Sequence, residues 1–314
     1  MKSLLVTLRA ILRHPLNASN RRGALVRYVK WQIGSRLVPG AVLVPFVNET
    51  FLVASPGLTS VTQNIYTGLS DFADCALLLH LLREDSLFVD IGANVGIYTV
   101  LAAGVVGAHV VSIEPVPKTF SKLRINLRLN NIENKVSPHN IGLGRQEAIL
   151  RFTSEQGSAN HVIEDTSWIG PSVKVPVSTL DEVLQGSSPT LIKIDVEGWE
   201  PEVLAGAVST LRSPSLLGLI IEMNSDDAAF SAKELAIHDC MLANGFKPHA
   251  YDPLTRSVTL LPSKNLQARS GNTIYLRNLD QVSALGFGTR FPGAFDSHLH
   301  RHLRIHSMHL ADEI

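Results

Sequence analysis

From residue 87 to residue 222, short β-prone runs alternate with helical ones. Residues 87–91 (LFVDI), 109–113 (HVVSI), 135–139, 191–196 (LIKIDV) and 216–222 (LLGLIIE) read as strands. Residues 95–103, 117–130 and 201–211 between them carry helical spacing, with Pro201 suited to a first helical position. Parallel strands need crossover connections, and helices supply them while covering both sheet faces. The expected fold is therefore α/β, with a mostly parallel sheet and helices on both sides. A helix over 231–244 ended by Gly245, and strands near 256–261 and 273–277, complete the pattern. Residues 147–153 and 173–177 read as an inserted pair of strands. Upstream, residues 41–62 read as a hairpin turning at Asn48-Glu49, and residues 71–83 as a helix.

Composition narrows the function classes. The 314 residues are 45% hydrophobic, so a sizeable core is available without staples. Formal net charge is zero, which argues against a general nucleic-acid binder. Two cysteines, Cys75 and Cys240, make no disulfide framework. Buried free thiols in a reducing, cytoplasmic setting are expected. No apolar run reaches the roughly 18 residues of a membrane span, and the opening MKSLLVTLRAILRHP makes a poor signal peptide. Charge is uneven, however. Residues 1–36 hold Lys2, Arg9, Arg13, Arg21, Arg22, Arg27, Lys30 and Arg36, and the first acid is Glu49. Such an arm either packs with its basic side in water or makes peripheral contact with the inner membrane surface. Three segments are expected: residues 1–85 as basic arm, hairpin and lead-in helix, 86–279 as the main domain, and 280–314 as a His-rich tail.

The first strand runs into FVDIGANVG, spaced Asp90-x-Gly92-x-x-x-Gly96. A dinucleotide fingerprint has glycines where this chain has Asn94 and Ile97, and no Gly-Lys-Ser/Thr follows for a phosphate loop. The turn is thus better shaped for a nucleoside carrying an amino acid than for a pyrophosphate. Glu114 lies 22 positions after Gly92, at the carboxyl end of the second strand, where a carboxylate can accept hydrogen bonds from ribose hydroxyls. In LIKIDVEGWEP, Lys193 stands inside a strand that should be buried, so it needs a partner. Asp195 and Glu197 are nearest, at the strand edge where open α/β sheets bind ligands. Such a cluster marks a site more readily than a structural salt bridge.

DIGANVG, the IEP after the second strand and KIDVEGWE resemble the FkbM family of S-adenosyl-methionine-dependent methyltransferases, over residues 86–224. NIYTGLSDFAD (64–74) resembles the family's lead-in segment. The resemblance implies a Rossmann-like class I methyltransferase fold with a seven-stranded, mostly parallel sheet. It also implies S-adenosyl-L-methionine as cofactor and O-methylation of a hydroxyl on a sugar, glycan or polyketide-type acceptor. By that likeness Asp90, Gly92, Asn94 and Gly96 line the methionine end, Glu114 holds the ribose and Asn140 falls near adenine. Asp195, Glu197 and Lys193 fall at the methyl-transfer edge, with Asp195 or Glu197 as base and Lys193 tuning the pair.

His139 and His161 are rival bases. Trp168 and Trp199 either stack on a sugar face or pack in the core. Residues 1–85 and 144–175 are expected to carry acceptor specificity. Two rival classes stay open: a non-catalytic adenosyl-binding module and an NAD-dependent oxidoreductase. No metal is expected. The tail holds His298, His300, His302, His306 and His309, four of them on one face if helical, and is read as compositional bias.

Overall fold

The structure is a computed structural model that describes residues 2–37, 40–55, 57–165, 167–223, 232–262 and 271–286. The histidines of the expected tail lie outside these residues. The described residues up to 70 fall in one compact unit and those from 71 onward in another.

The first unit begins with helices α1 (Lys2–Arg13) and α2 (Arg21–Leu37). It continues with the antiparallel hairpin β1 (Val42–Pro45) and β2 (Phe51–Ala54), then helix α3 (Thr59–Thr67). Asn48 takes the left-handed backbone at the hairpin turn, as a small amide side chain tolerates. The 41–62 reading did not foresee α3, because Val61, Ile65 and Tyr66 became its buried side once the hairpin had ended. Asn17 is fully buried. It donates to the Ile11 and Tyr66 carbonyls and accepts from Arg27, whose Nε also reaches the Ile65 carbonyl. One cation of the basic arm is therefore structural.

The second unit opens with α4 (Phe72–Leu81), whose apolar residues are buried on all sides. Its core strands are β3 (Leu87–Ile91), β4 (His109–Ile113), β5 (Val136–His139), β9 (Leu191–Ile194) and β10 (Gly218–Glu222), with β11 (Lys247–Asp252), β12 (Ser257–Leu260) and β13 (Asn272–Leu276). They form one sheet in the order β12-β11-β13-β10-β9-β3-β4-β5. The pairs β10-β9, β9-β3, β3-β4 and β4-β5 are parallel, and β13 runs antiparallel between β10 and β11. This is the Rossmann-like order the resemblance implies. The strand order reverses direction between β3 and β9, the switch point where such sheets open a crevice.

Two expectations need correction. The sheet has eight strands rather than seven, because 247–252 is itself a strand that turns back at Arg256 to pair with β12. The single helix expected over 201–211 is two, α8 (Glu200–Ala205) and α9 (Val208–Arg212). They break at Gly206, where a Cβ would stand 2.1 Å from the Gly144 carbonyl oxygen, so the backbone must yield there.

Helix α5 (Ile97–Val100) follows β3 and widens into a π-helical stretch over Leu101–Val106. Helix α6 (Pro117–Leu129) buries Leu123 and Leu127. The insertion forms its own small sheet from β6 (Gly142–Leu143), β7 (Ala148–Thr153) and β8 (Ser172–Ser178), in the order β6-β8-β7. Its apolar face packs Phe152, Val162, Val175 and Val177 with Val116 and Trp199. Trp199 also touches the main core, so packing accounts for it. Helix α7 (Leu180–Leu184) starts on a Thr179/Glu182 capping box, and α10 (Ala232–Ala243) and α11 (Leu279–Gly286) complete the described helices. Cys75 and Cys240 are free; Cys75 is buried, whereas Cys240 is only half-buried, since its position on α10 leaves one side open.

A carboxylate-rich crevice at the carboxyl ends of β3, β4 and β9

Register brings the site together. Asp90 on β3 lies opposite Ser112 of β4 on one side and Lys193 of β9 on the other. Asp90 is 1% exposed, and its Oδ2 accepts from the Thr99 hydroxyl at 2.6 Å. Thr99 also meets the Ser112 hydroxyl at 2.7 Å. Lys193 is 3% exposed, donates to Asp195 Oδ2 at 2.5 Å and lies 4.7 Å from the centre of the Tyr98 ring. Burial works against its ammonium, but the charges of Asp195, Asp90 and Asp71 outweigh that and raise its pKa. Asp195 answers in kind. Burial would raise it, yet Lys193 and a hydrogen bond with Glu222 hold it below the ordinary carboxylate range.

This charge group is larger than the sequence suggested. The Tyr98 hydroxyl donates to Asp71 at 3.3 Å, and Asn272 on β13 donates to Asp74 at 2.8 Å. Burial raises Asp71 against the pull of Lys193, and burial together with Asp71 lifts Asp74 to about 7. Asp71 and Asp74 begin α4, in the stretch recognised only as a lead-in. Two acids spaced three apart at the start of a mostly apolar helix were the available signal. Glu222 gave less, since nothing local ties the end of β10 to Asp195. One carboxylate oxygen from each of Asp195, Glu197 and Glu222 falls within 4.8 Å of the others.

The Gly92–Gly96 turn sits beside this group. Gly92 and Ala93 both donate to the Ile113 carbonyl. Gly92 has a φ of 76°, and a Cβ there would lie 1.8 Å from the backbone oxygen of Asp195. Its missing side chain thus lets two strand ends close on each other, a closer constraint than access for a ligand. Gly96, also left-handed, starts α5. Asn94 has a φ of 52°, which points its N–H at Glu114 Oε2, 3.0 Å away. Glu114 Oε1 accepts from the Val116 N–H at 2.9 Å. Burial, opposed by these two hydrogen bonds, lifts Glu114 to about 7. Asn94 Oδ1 is buried and has no partner among the described residues. Asn140 donates to the carbonyls of Glu114 and Pro115, so its amide hydrogens fix the β4 exit and its Oδ1 is what it can offer a ligand.

The loop after β9 is held open by backbone geometry. Glu197 and Gly198 are both left-handed, and buried Glu200 accepts from the N–H groups of Val196 and Gly198. Glu197 is half-buried, and burial, then Asp195 and Glu200, raise its pKa. Of the two histidines, His161 is the one whose charge reaches Glu197. It also stacks edge-on against Trp168, 6.2 Å between ring centres. His139 ends β5, beyond β3 and β4, and faces Ser137.

The residues fit the amino-acid and ribose parts of S-adenosyl-methionine. The orphaned Asn94 Oδ1 can accept from an α-ammonium. Each Glu114 oxygen spends one acceptor position on the backbone and keeps another for a hydroxyl. Around them Asp90, Asp195 and Glu197 outnumber Lys193, which suits a ligand bearing a sulfonium charge.

Comparison with known proteins gives a family match and several relatives. The Methyltransferase FkbM domain model matches residues 90–248. Methyltransferase 1 of Beauveria bassiana is 31% identical over 148 residues, covering 39% of this chain and 59% of the relative. Hexuronic acid methyltransferase AglP of Haloferax volcanii is 29% identical over 154 residues, covering 48% of this chain and 60% of the relative. The chain thus spans about three fifths of the length of these relatives. Among solved structures, a SAM-dependent methyltransferase from Agrobacterium tumefaciens aligns with a TM-score of 0.38 at 13% identity, covering 66% of this chain and 59% of that one. The AdoMet complex of M. jannaschii TYW2 aligns at 0.37 and 11% identity, covering 76% and 88%. Likenesses at that level carry no argument about chemistry.

Proposed function

The chain belongs to the FkbM methyltransferase family, and on that premise we propose that it moves the methyl group of S-adenosyl-methionine to a hydroxyl of a sugar or polyketide-type acceptor. The observation that carries this reading is the Lys193-centred carboxylate group beside the Asn94–Glu114 cradle. A named relative acts on hexuronic acid, which favours a sugar acceptor over a polyketide.

When bound, S-adenosyl-methionine supplies an electrophilic methyl on a sulfonium that departs as a neutral thioether, so no acid is required. The protein's work is alignment and removal of one proton from the acceptor. Lys193 keeps Asp195 ionised, which makes Asp195 a weak base and a firm anchor. Glu197 is better suited to take the proton, because burial and its acidic neighbours raise its affinity for it. Glu197 would take the acceptor's hydroxyl proton as that oxygen is methylated, so the transfer leaves a neutral product and a protonated Glu197. His161, whose charge acts on Glu197, is the rival base.

Isothermal titration should show binding of S-adenosyl-homocysteine and none of NAD. Transfer of labelled methyl to uronic-acid glycans should then fall about a hundredfold in Glu197→Gln with cofactor affinity unchanged. Retained turnover in that variant together with loss in His161→Asn would move the base to His161. Binding of NAD alone would remove the methyltransferase reading.

A further inference from the structure

Residues 1–70 carry eight Lys and Arg and one acid, Glu49, in a chain of zero net charge. Helix α2 is seated by one side only. Ala24 and Trp31 are buried, Arg27 binds inward, and Gln32 donates to the Tyr66 hydroxyl. Its other side bears Val26, Val29, Ile33 and Leu37, which are 50%, 50%, 53% and 75% exposed. Their spacing of three and four residues sets them in one stripe, and the exposed Arg22, Lys30 and Arg36 lie among and beside them. Helix α1 adds exposed Leu4, Leu5 and Val6, with exposed Arg9 and Arg13. Seven of the fifteen large apolar residues exposed among those described fall in these two helices.

We propose that this face docks on an anionic phospholipid surface, with the α2 stripe entering the headgroup boundary and its flanking cations pairing with lipid phosphates. The combination decides the partner. Cations without an apolar stripe would suit a nucleic acid, and an apolar stripe without cations would suit another protein. A face free of acids for its whole length also avoids repulsion from an anionic bilayer. This inference stands apart from the reaction and would hold for any chemistry in the second unit.

The test uses the full chain and large unilamellar vesicles of phosphatidylcholine, with or without about 30% phosphatidylglycerol, in a flotation assay near physiological salt. Partition into the anionic vesicles should exceed that into neutral ones by at least about tenfold. At about 1 kcal/mol for each surface cation, Lys30→Ala/Arg36→Ala should weaken it about thirtyfold. Val29→Ser/Ile33→Ser should weaken it about tenfold through lost apolar burial. All four side chains are exposed, so thermal melts of both variants should match the parent's. Equal partition into both vesicles would overturn the proposal. So would unchanged binding by Val29→Ser/Ile33→Ser. Displacement by a short single-stranded RNA, with no response to the serine pair, would assign the face to nucleic acid instead.

Discussion

Replacing Lys193 by Met tests whether one buried cation holds the site together. The substitution keeps the length and apolar stem of the side chain and removes its charge. Its Nζ is 2.5 Å from Asp195 Oδ2, and Asp90 and Asp71 act on it as well. With an effective dielectric constant near 20, a charge pair at that distance is worth about 7 kcal/mol before desolvation is counted. Breaking a buried pair typically costs about 3–5 kcal/mol. Asp195 keeps 34% of its side chain exposed, so the lower end, about 3 kcal/mol near pH 8, is the expected loss.

The pH dependence gives the sharper signature. In the parent, Asp195 is held below its ordinary value, so its contribution is present above that value and fades as pH falls through the native one. In Lys193→Met, Asp195 loses its counter-ion and its native pKa rises above the unfolded one, while Asp90, which burial already raises in the parent, rises further. The variant's stability must then fall as pH rises from the ordinary carboxylate range. The gap between the two proteins should therefore widen from about 1 kcal/mol near pH 4.5 to about 3 kcal/mol near pH 8. Urea unfolding followed by circular dichroism at four pH values measures this. A gap below about 1 kcal/mol at pH 8, or one that does not change with pH, would refute the counter-ion role.

Two further outcomes follow from the same geometry. Gly92→Ala should lose at least about 3 kcal/mol of stability and its S-adenosyl-homocysteine binding together, because the new Cβ meets a backbone oxygen at 1.8 Å; a melt within a degree of the parent's would contradict the close approach. Asp74 is raised from 3.8 to about 7, so the folded state binds its proton more tightly and stability declines as pH climbs between those values. Asp74→Asn should therefore gain about 3 kcal/mol on the parent between pH 5 and pH 8, read as a relative shift in melting temperature, and a parallel pH response in both proteins would exclude that burial effect.

Short-range pattern explains what the sequence could determine here. Strand period, helix period and crossover logic act over a few residues, and they located β3, β4, β9 and β10 close to their observed bounds. The same local reading found the Gly92–Gly96 turn, Glu114 and the Lys193–Asp195 pair, since a lysine in a buried strand demands a neighbour. Only tertiary structure could decide the rest, because it depends on partners far apart in the chain. Gly92 is a glycine on account of the Asp195 carbonyl, and Gly206 on account of Gly144. Asn140 gives its amide hydrogens to the β4 exit, and Asp71, Asp74 and Glu222 join Lys193 and Asp195 from two other elements, α4 and β10. The basic arm divided in the same way. Sequence placed its cations, and packing turned Arg27 inward while leaving Val26, Val29 and Ile33 facing water.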